Sequence, residues 1–214
     1  MKPWLDLILV LLILTNLWLL GSSRLTACIR TVALQALLLG CIPLLMQSEG
    51  VTLRVVLFAL LSTVLKAVVL PWLLGRAVRT ANVRNEVEPL VGFTTSLLIG
   101  IGLLGAALYL SNKLPPLGVD GTAFLVPVAF FTVMVGLFLI VSRVKAVMQA
   151  LGYLAMENGI YAFGMAFVIE EPLLVEMGVL LDVFVAIFVM GITIHHISRE
   201  FDHIDTDRLS ALKD

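Results

Sequence analysis

The stretch GYLAMENGIYAFG, residues 152–164, decides what class of molecule this is. It lies within an apolar run long enough to cross a bilayer, yet Glu157 and Asn158 stand side by side near its centre. An ionised side chain at mid-bilayer costs about 2.5–3.5 kcal/mol even on the lenient insertion scales, so it faces a helix-bundle interior or water, not lipid. The rest of the chain supports a membrane setting. Of its 214 residues, 60% are hydrophobic and 14% charged, and the mean hydropathy is +1.08. Soluble domains average roughly 45–50% apolar and about 25% charged. The composition therefore reads as an all-α polytopic membrane protein. A net charge of -1 offers no basic surface for nucleic acid.

A hydrocarbon core about 30 Å thick takes about 20 residues of helix at 1.5 Å each. On that measure the chain divides into seven spans, near 4–21, 25–46, 52–75, 90–110, 121–141, 147–169 and 172–195. The first is expected to be a retained helix, because Lys2 is offset by Asp6 and no small-x-small cleavage site follows. Loops one, three and five and the tail hold most of the basic residues, among them Arg24, Arg76, Arg79, Arg84, Arg143, Lys145 and Arg199. The positive-inside rule then puts the amino terminus outside and the carboxyl terminus in the cytoplasm. The expected divisions are a four-helix region over 1–120, a three-helix region over 121–198 and a tail over 199–214.

Two cysteines, Cys28 and Cys41, lie in one apolar run without metal-ligand spacing and read as buried thiols. His195 and His196 read as interfacial cations, and Trp4, Trp18 and Trp72 as bilayer-interface anchors. No metal site and no cofactor are expected.

Three charges cannot reach water by snorkelling. Lys66 is 12 residues after Arg54 and 10 before Arg76, roughly 15–18 Å from either charged end. Glu157 and Asp182 are as deep, and the short EEP turn at 170–172 between their spans places them at closely matched depth. Tyr153, Glu157 and Tyr161 share one helical stripe, with Asn158 beside it. Ser62 and Thr63 share a face with Lys66, and Pro71 removes the donor for the Ala67 carbonyl, opening polar backbone one turn from the lysine. Glu176 reads either as an entry group near the outer surface or as a simple interfacial acid. Lys66 either pairs with one acid as a structural bridge or works with both as an ion relay. Two acids and one base at similar depth favour the relay, for which Lys66, Glu157 and Asp182 are the candidate residues, with Tyr153, Asn158, Tyr161 and Glu176 in support.

The segments GYLAMENG, VEMGVLLDVFVAI and DTDRLSALKD, together with the mid-helix lysine and Pro71, resemble component E of hydrogenase-4, the formate hydrogenlyase-type membrane-bound [NiFe] hydrogenases. The carboxyl-terminal half is similar to the K subunit of respiratory complex I and its relatives in cation/proton antiporters. The resemblance matches Asp182 to the carboxylate of the last helix. It puts Leu154 at the other glutamate position, so Glu157 stands one turn further out.

What the resemblance implies is a membrane-arm subunit of the cytoplasmic (inner) membrane that takes part in proton or sodium translocation. Redox chemistry would belong to [NiFe] and iron–sulfur partners, and antiporter-like and quinone-site-like subunits would be membrane neighbours. A subunit of a multisubunit cation/proton antiporter and a scaffold between antiporter-like subunits are the alternatives.

Overall fold

Lipid offers the backbone no hydrogen-bonding partners, so an apolar run must satisfy its amides within itself, and helix is the solution the Leu- and Ala-rich runs adopt. The computed structural model describes residues 3–46, 60–61, 63–80, 87, 89–113 and 124–167. In it α1 spans Pro3–Gly21 and α2 spans Leu25–Met46. A π-helical turn, Leu65–Val69, runs directly into α3, Leu70–Thr80. Then follow α4, Phe93–Lys113, α5, Leu125–Ser142, and α6, Ala146–Phe167. Among the described residues, four stretches, Pro3–Gly21, Leu25–Pro43, Phe93–Lys113 and Leu125–Ser142, are long and apolar enough to cross a membrane. The span expected at 172–195 lies outside the described residues, and with it Asp182, Glu176, His195 and His196.

Two boundaries differ from expectation for local reasons. Pro89 and Gly92 keep the chain out of helix until Phe93, so α4 starts and ends about three residues later than the hydropathy window suggested. Helix α3 continues past Arg76 and Arg79, whose long side chains can run along the helix toward water.

The π-turn also has a cause. Pro71 has no amide hydrogen to give Ala67, and its ring crowds that carbonyl. Widening the preceding turn by one residue relieves the clash, and the Leu70 amide donates to the Leu65 carbonyl, five residues back.

Glycines set the closest approach. Helices α5 and α6 form an antiparallel hairpin in which backbone meets backbone. A Cβ on Gly152 would sit 2.9 Å from Gly136 O and Ile140 N, and one on Gly159 would sit 2.6 Å from Val133 N. A Cβ on Gly40 of α2 would collide with the Thr63 side chain. Phe130 and Phe163 close the far part of the hairpin edge to face, centroids 4.9 Å apart. Around the hairpin, α1 packs on α2, α4 and α5, and α2 packs on α6 and the π-turn.

Three connections gather at one end. The Val87 amide donates to Ser23 O and the Leu90 amide to Ser142 O, both at 2.9 Å, and Pro89 bridges Arg143. Loops one, three and five, which carry the basic residues, therefore share one end of the bundle.

Cys28 is buried, but Cys41 is exposed, which corrects the expectation of two buried thiols. Gly40 takes the inward position against Thr63, and the next residue of a helix points about 100° away from it. Trp4 and Trp18 are exposed near the two ends of α1, and Trp72 is exposed beside Arg76.

Candidate functional site

Lys66 sits in the π-turn and Glu157 in the eleventh position after Ala146 of α6, about 16 Å along that helix. Lys66 Nζ donates to Glu157 Oε1 at 2.8 Å. The side chains are 8% and 3% exposed, so the pair is withdrawn from both lipid and water. Attraction across such a contact must offset a desolvation penalty of several kcal/mol per ion, which it can do only at this close geometry. Of the two acids the sequence offers as partners of Lys66, Glu157 makes this contact, and Asp182 lies outside the described residues.

Tyr161 is close by, but its ring, not its hydroxyl, meets the cation: Lys66 Nζ lies 5.5 Å from the ring centroid. Tyr153 is half-buried against the apolar core. Asn158 is buried next to Glu157, its Nδ2 without a hydrogen-bond partner among the described residues. Glu157 Oε2 likewise has none. One carboxylate oxygen is thus committed to the lysine and the other retains its acceptor capacity.

Sequence reasoning missed a second polar group at the same level. Asn16 of α1 donates through Nδ2 to Thr132 Oγ1 of α5 at 2.8 Å. Gln35 of α2 donates through Nε2 to Asn16 Oδ1 at 3.0 Å and to Thr15 Oγ1 at 3.2 Å. Asn16 and Gln35 are fully buried. The available signal was an amide in the middle of each of the first two apolar runs, where each must find a partner.

Arg143, read from sequence as a loop cation, is 1% exposed. Its Nη2 donates to Leu20 O at 2.8 Å, a carbonyl that the end of α1 leaves without an intrahelical donor. The guanidinium carbon lies 5.2 Å from the Phe93 centroid. Burial lowers its pKa from the ordinary arginine value.

No family model matches the chain, and no solved structure matches it. It is 36% identical to the uncharacterized protein Rv0085 of Mycobacterium tuberculosis over 204 residues, covering 95% of this chain and 93% of that protein. It is 26% identical to hydrogenase-4 component E of Escherichia coli K12 over 205 residues, 95% of this chain and 94% of that one. The Shigella flexneri component E matches to the same extent. Sequence identity maintained along nearly the whole of Rv0085 therefore places this chain in the same family as that mycobacterial protein, with hydrogenase-4 component E as a distant relative.

Proposed function

We propose that the protein is a subunit of a membrane-bound hydrogenase complex, and that Lys66 and Glu157, with Asp182, take part in proton or sodium translocation driven by electron transfer in partner subunits. The observation that carries this reading is the 2.8 Å contact between two buried ionisable groups at the middle of their helices. A lysine and a carboxylate so placed hold one exchangeable proton between them, and a charge arriving nearby changes which of them keeps it. Distant similarity to hydrogenase-4 component E supports the kind of complex. Antiporter-like and quinone-site-like membrane subunits, and [NiFe] and iron–sulfur peripheral subunits, are the partners this reading assigns, in the cytoplasmic (inner) membrane.

The same contact favours one competing reading, a static cross-link in a scaffold subunit. Glutamine at 157 separates the two, because it preserves size and hydrogen bonding but does not titrate. The experiment is proton and sodium uptake by vesicles containing the whole complex, normalised to subunit content. Loss of uptake in an assembled Glu157→Gln complex is the expected result. Uptake at the parental level would leave the cross-link as the role of the pair.

A further inference from the structure

The two polar groups described above lie on different helices but at one level. Gly159 of α6 faces Val133 and Ala129 of α5, which puts Thr132 level with Asn158. Gly40 of α2 faces Thr63, so the antiparallel course of the two segments brings the Lys66 level close to Gln35. Gln35 and Thr132 are each ten residues, about 15 Å, from the Arg143 end of their helices. Asn16 joins them by hydrogen bonds. Helix α2, which carries Gln35, packs directly on α6, which carries Glu157 and Asn158.

Three buried atoms at this level have no hydrogen-bond partner among the described residues: Gln35 Oε1, Glu157 Oε2 and Asn158 Nδ2. Two are acceptors and one is a donor. Leaving a buried donor or acceptor without a partner is destabilising, most of all for the charged carboxylate. The complement of two acceptors and one donor is a molecule that donates twice and accepts once. Water does this, and buried waters typically make about 3 such bonds. A metal cation would satisfy the two oxygens but would be opposed by the amide hydrogens of Asn158 and by the Lys66 ammonium.

We propose that Gln35, Asn158 and the free oxygen of Glu157 form a binding site for ordered water, and that this water connects the Lys66–Glu157 pair to the Asn16–Thr132 group on α1 and α5. The inference rests on the relay reading of Glu157 and adds the first acceptor to it. A proton leaving Glu157 Oε2 passes to this water, which returns a proton to the carboxylate when the charge nearby reverses. Gln35 and Asn158 position the water and carry no proton, because a carboxamide does not titrate and the Thr15 and Thr132 hydroxyls already donate to Leu12 O and Val128 O. The cargo is a proton.

The test uses the assembled complex in vesicles. Gln35→Met keeps length and volume but removes the acceptor, and Gln35→Asn retains the amide with room for one more water. Gln35→Met is expected to slow proton uptake roughly tenfold, the equivalent of one lost hydrogen bond to a charge-bearing water, with Gln35→Asn restoring most of it. The solvent deuterium isotope effect on uptake should change in Gln35→Met, which a packing defect would not cause. Loss of uptake in Glu157→Gln together with parental uptake in Gln35→Met overturns this inference and leaves the relay reading standing. Parental uptake in Glu157→Gln overturns both. If Gln35→Met does not assemble, a high-resolution electron cryomicroscopy map of the parental complex decides: water density within hydrogen-bonding distance of Glu157 Oε2, Asn158 and Gln35 supports the site, and apolar packing there overturns it.

Discussion

Glu157 and Lys66 are not equivalent as targets, because removing one leaves the other buried alone. Lys66→Met strands a carboxylate that is 3% exposed, a loss of about 3–5 kcal/mol if the carboxylate stays charged. Protonation of Glu157 would relieve part of that cost. Lys66→Met alone is therefore expected to reduce the yield of folded subunit, and adding Glu157→Gln should restore it, since a neutral amide does not need the ammonium. Thermal aggregation in detergent across the four members of this cycle measures the coupling. A cycle without coupling would show that the contact contributes nothing. Arg143→Lys is expected to lower stability by about 1–3 kcal/mol, because an ammonium cannot both reach Leu20 O and spread over Phe93. The same melting assay checks it, and an unchanged midpoint would refute it. At this scale the sequence was informative where charge was the signal. Lys66 and Glu157 are legible because an ionisable residue far from both ends of an apolar run must be buried. Arg143 was not legible, because its place next to Lys145 in a short basic loop looks like any cytoplasmic cation, and only the folded end of α1 shows the carbonyl it serves.

The α5–α6 hairpin is the element whose geometry is least forgiving. Gly152→Val puts branched carbon where Gly136 O and Ile140 N already lie 2.9 Å from the Cβ position, both of them backbone atoms. The helices must part, at a cost of about 1–3 kcal/mol or more, and Glu157, one turn along, should lose its register with Lys66. Gly105→Val is the control: nothing lies within 4 Å of its Cβ position, and the isolated subunit should tolerate it to within about 0.5 kcal/mol. Detergent melting of the two variants tests the contrast, and equal midpoints would defeat it. Element ends were legible to within a few residues wherever Pro, Gly or a basic pair stood at the boundary. The π-turn was legible only as a missing hydrogen bond at Pro71. Whether the chain answers such a loss with a kink, a water or a wider turn depends on α2, which comes close enough to need glycine at position 40.

For the whole molecule, the gathering of loops one, three and five at one end makes sidedness testable with two cysteines in a background lacking Cys28 and Cys41. Asn112→Cys, exposed near the end of α4, is expected to react with an impermeant thiol reagent in intact cells. Val144→Cys, 53% exposed between α5 and α6, should react only after the membrane is opened. The reverse pattern would invert the orientation drawn from the basic loops. Alternating basic loops made this arrangement readable, whereas the Asn16–Thr132 bond, between residues 116 apart, was not. Each residue alone looks like a polar exception in its own helix, and only packing α1 on α5 reveals a shared purpose. A comparable separation has a consequence in time. Lys66 and Glu157 are 91 residues apart, and synthesis at roughly 5–20 residues per second separates their appearance by roughly 5–18 s. A nascent chain thus presents a lysine to the membrane well before its counter-ion exists. The span of Lys66 must wait in the insertion machinery, or at the water boundary, until α6 emerges, so a ribosome stalled before residue 157 should leave that span accessible to protease while α1 and α2 are already protected.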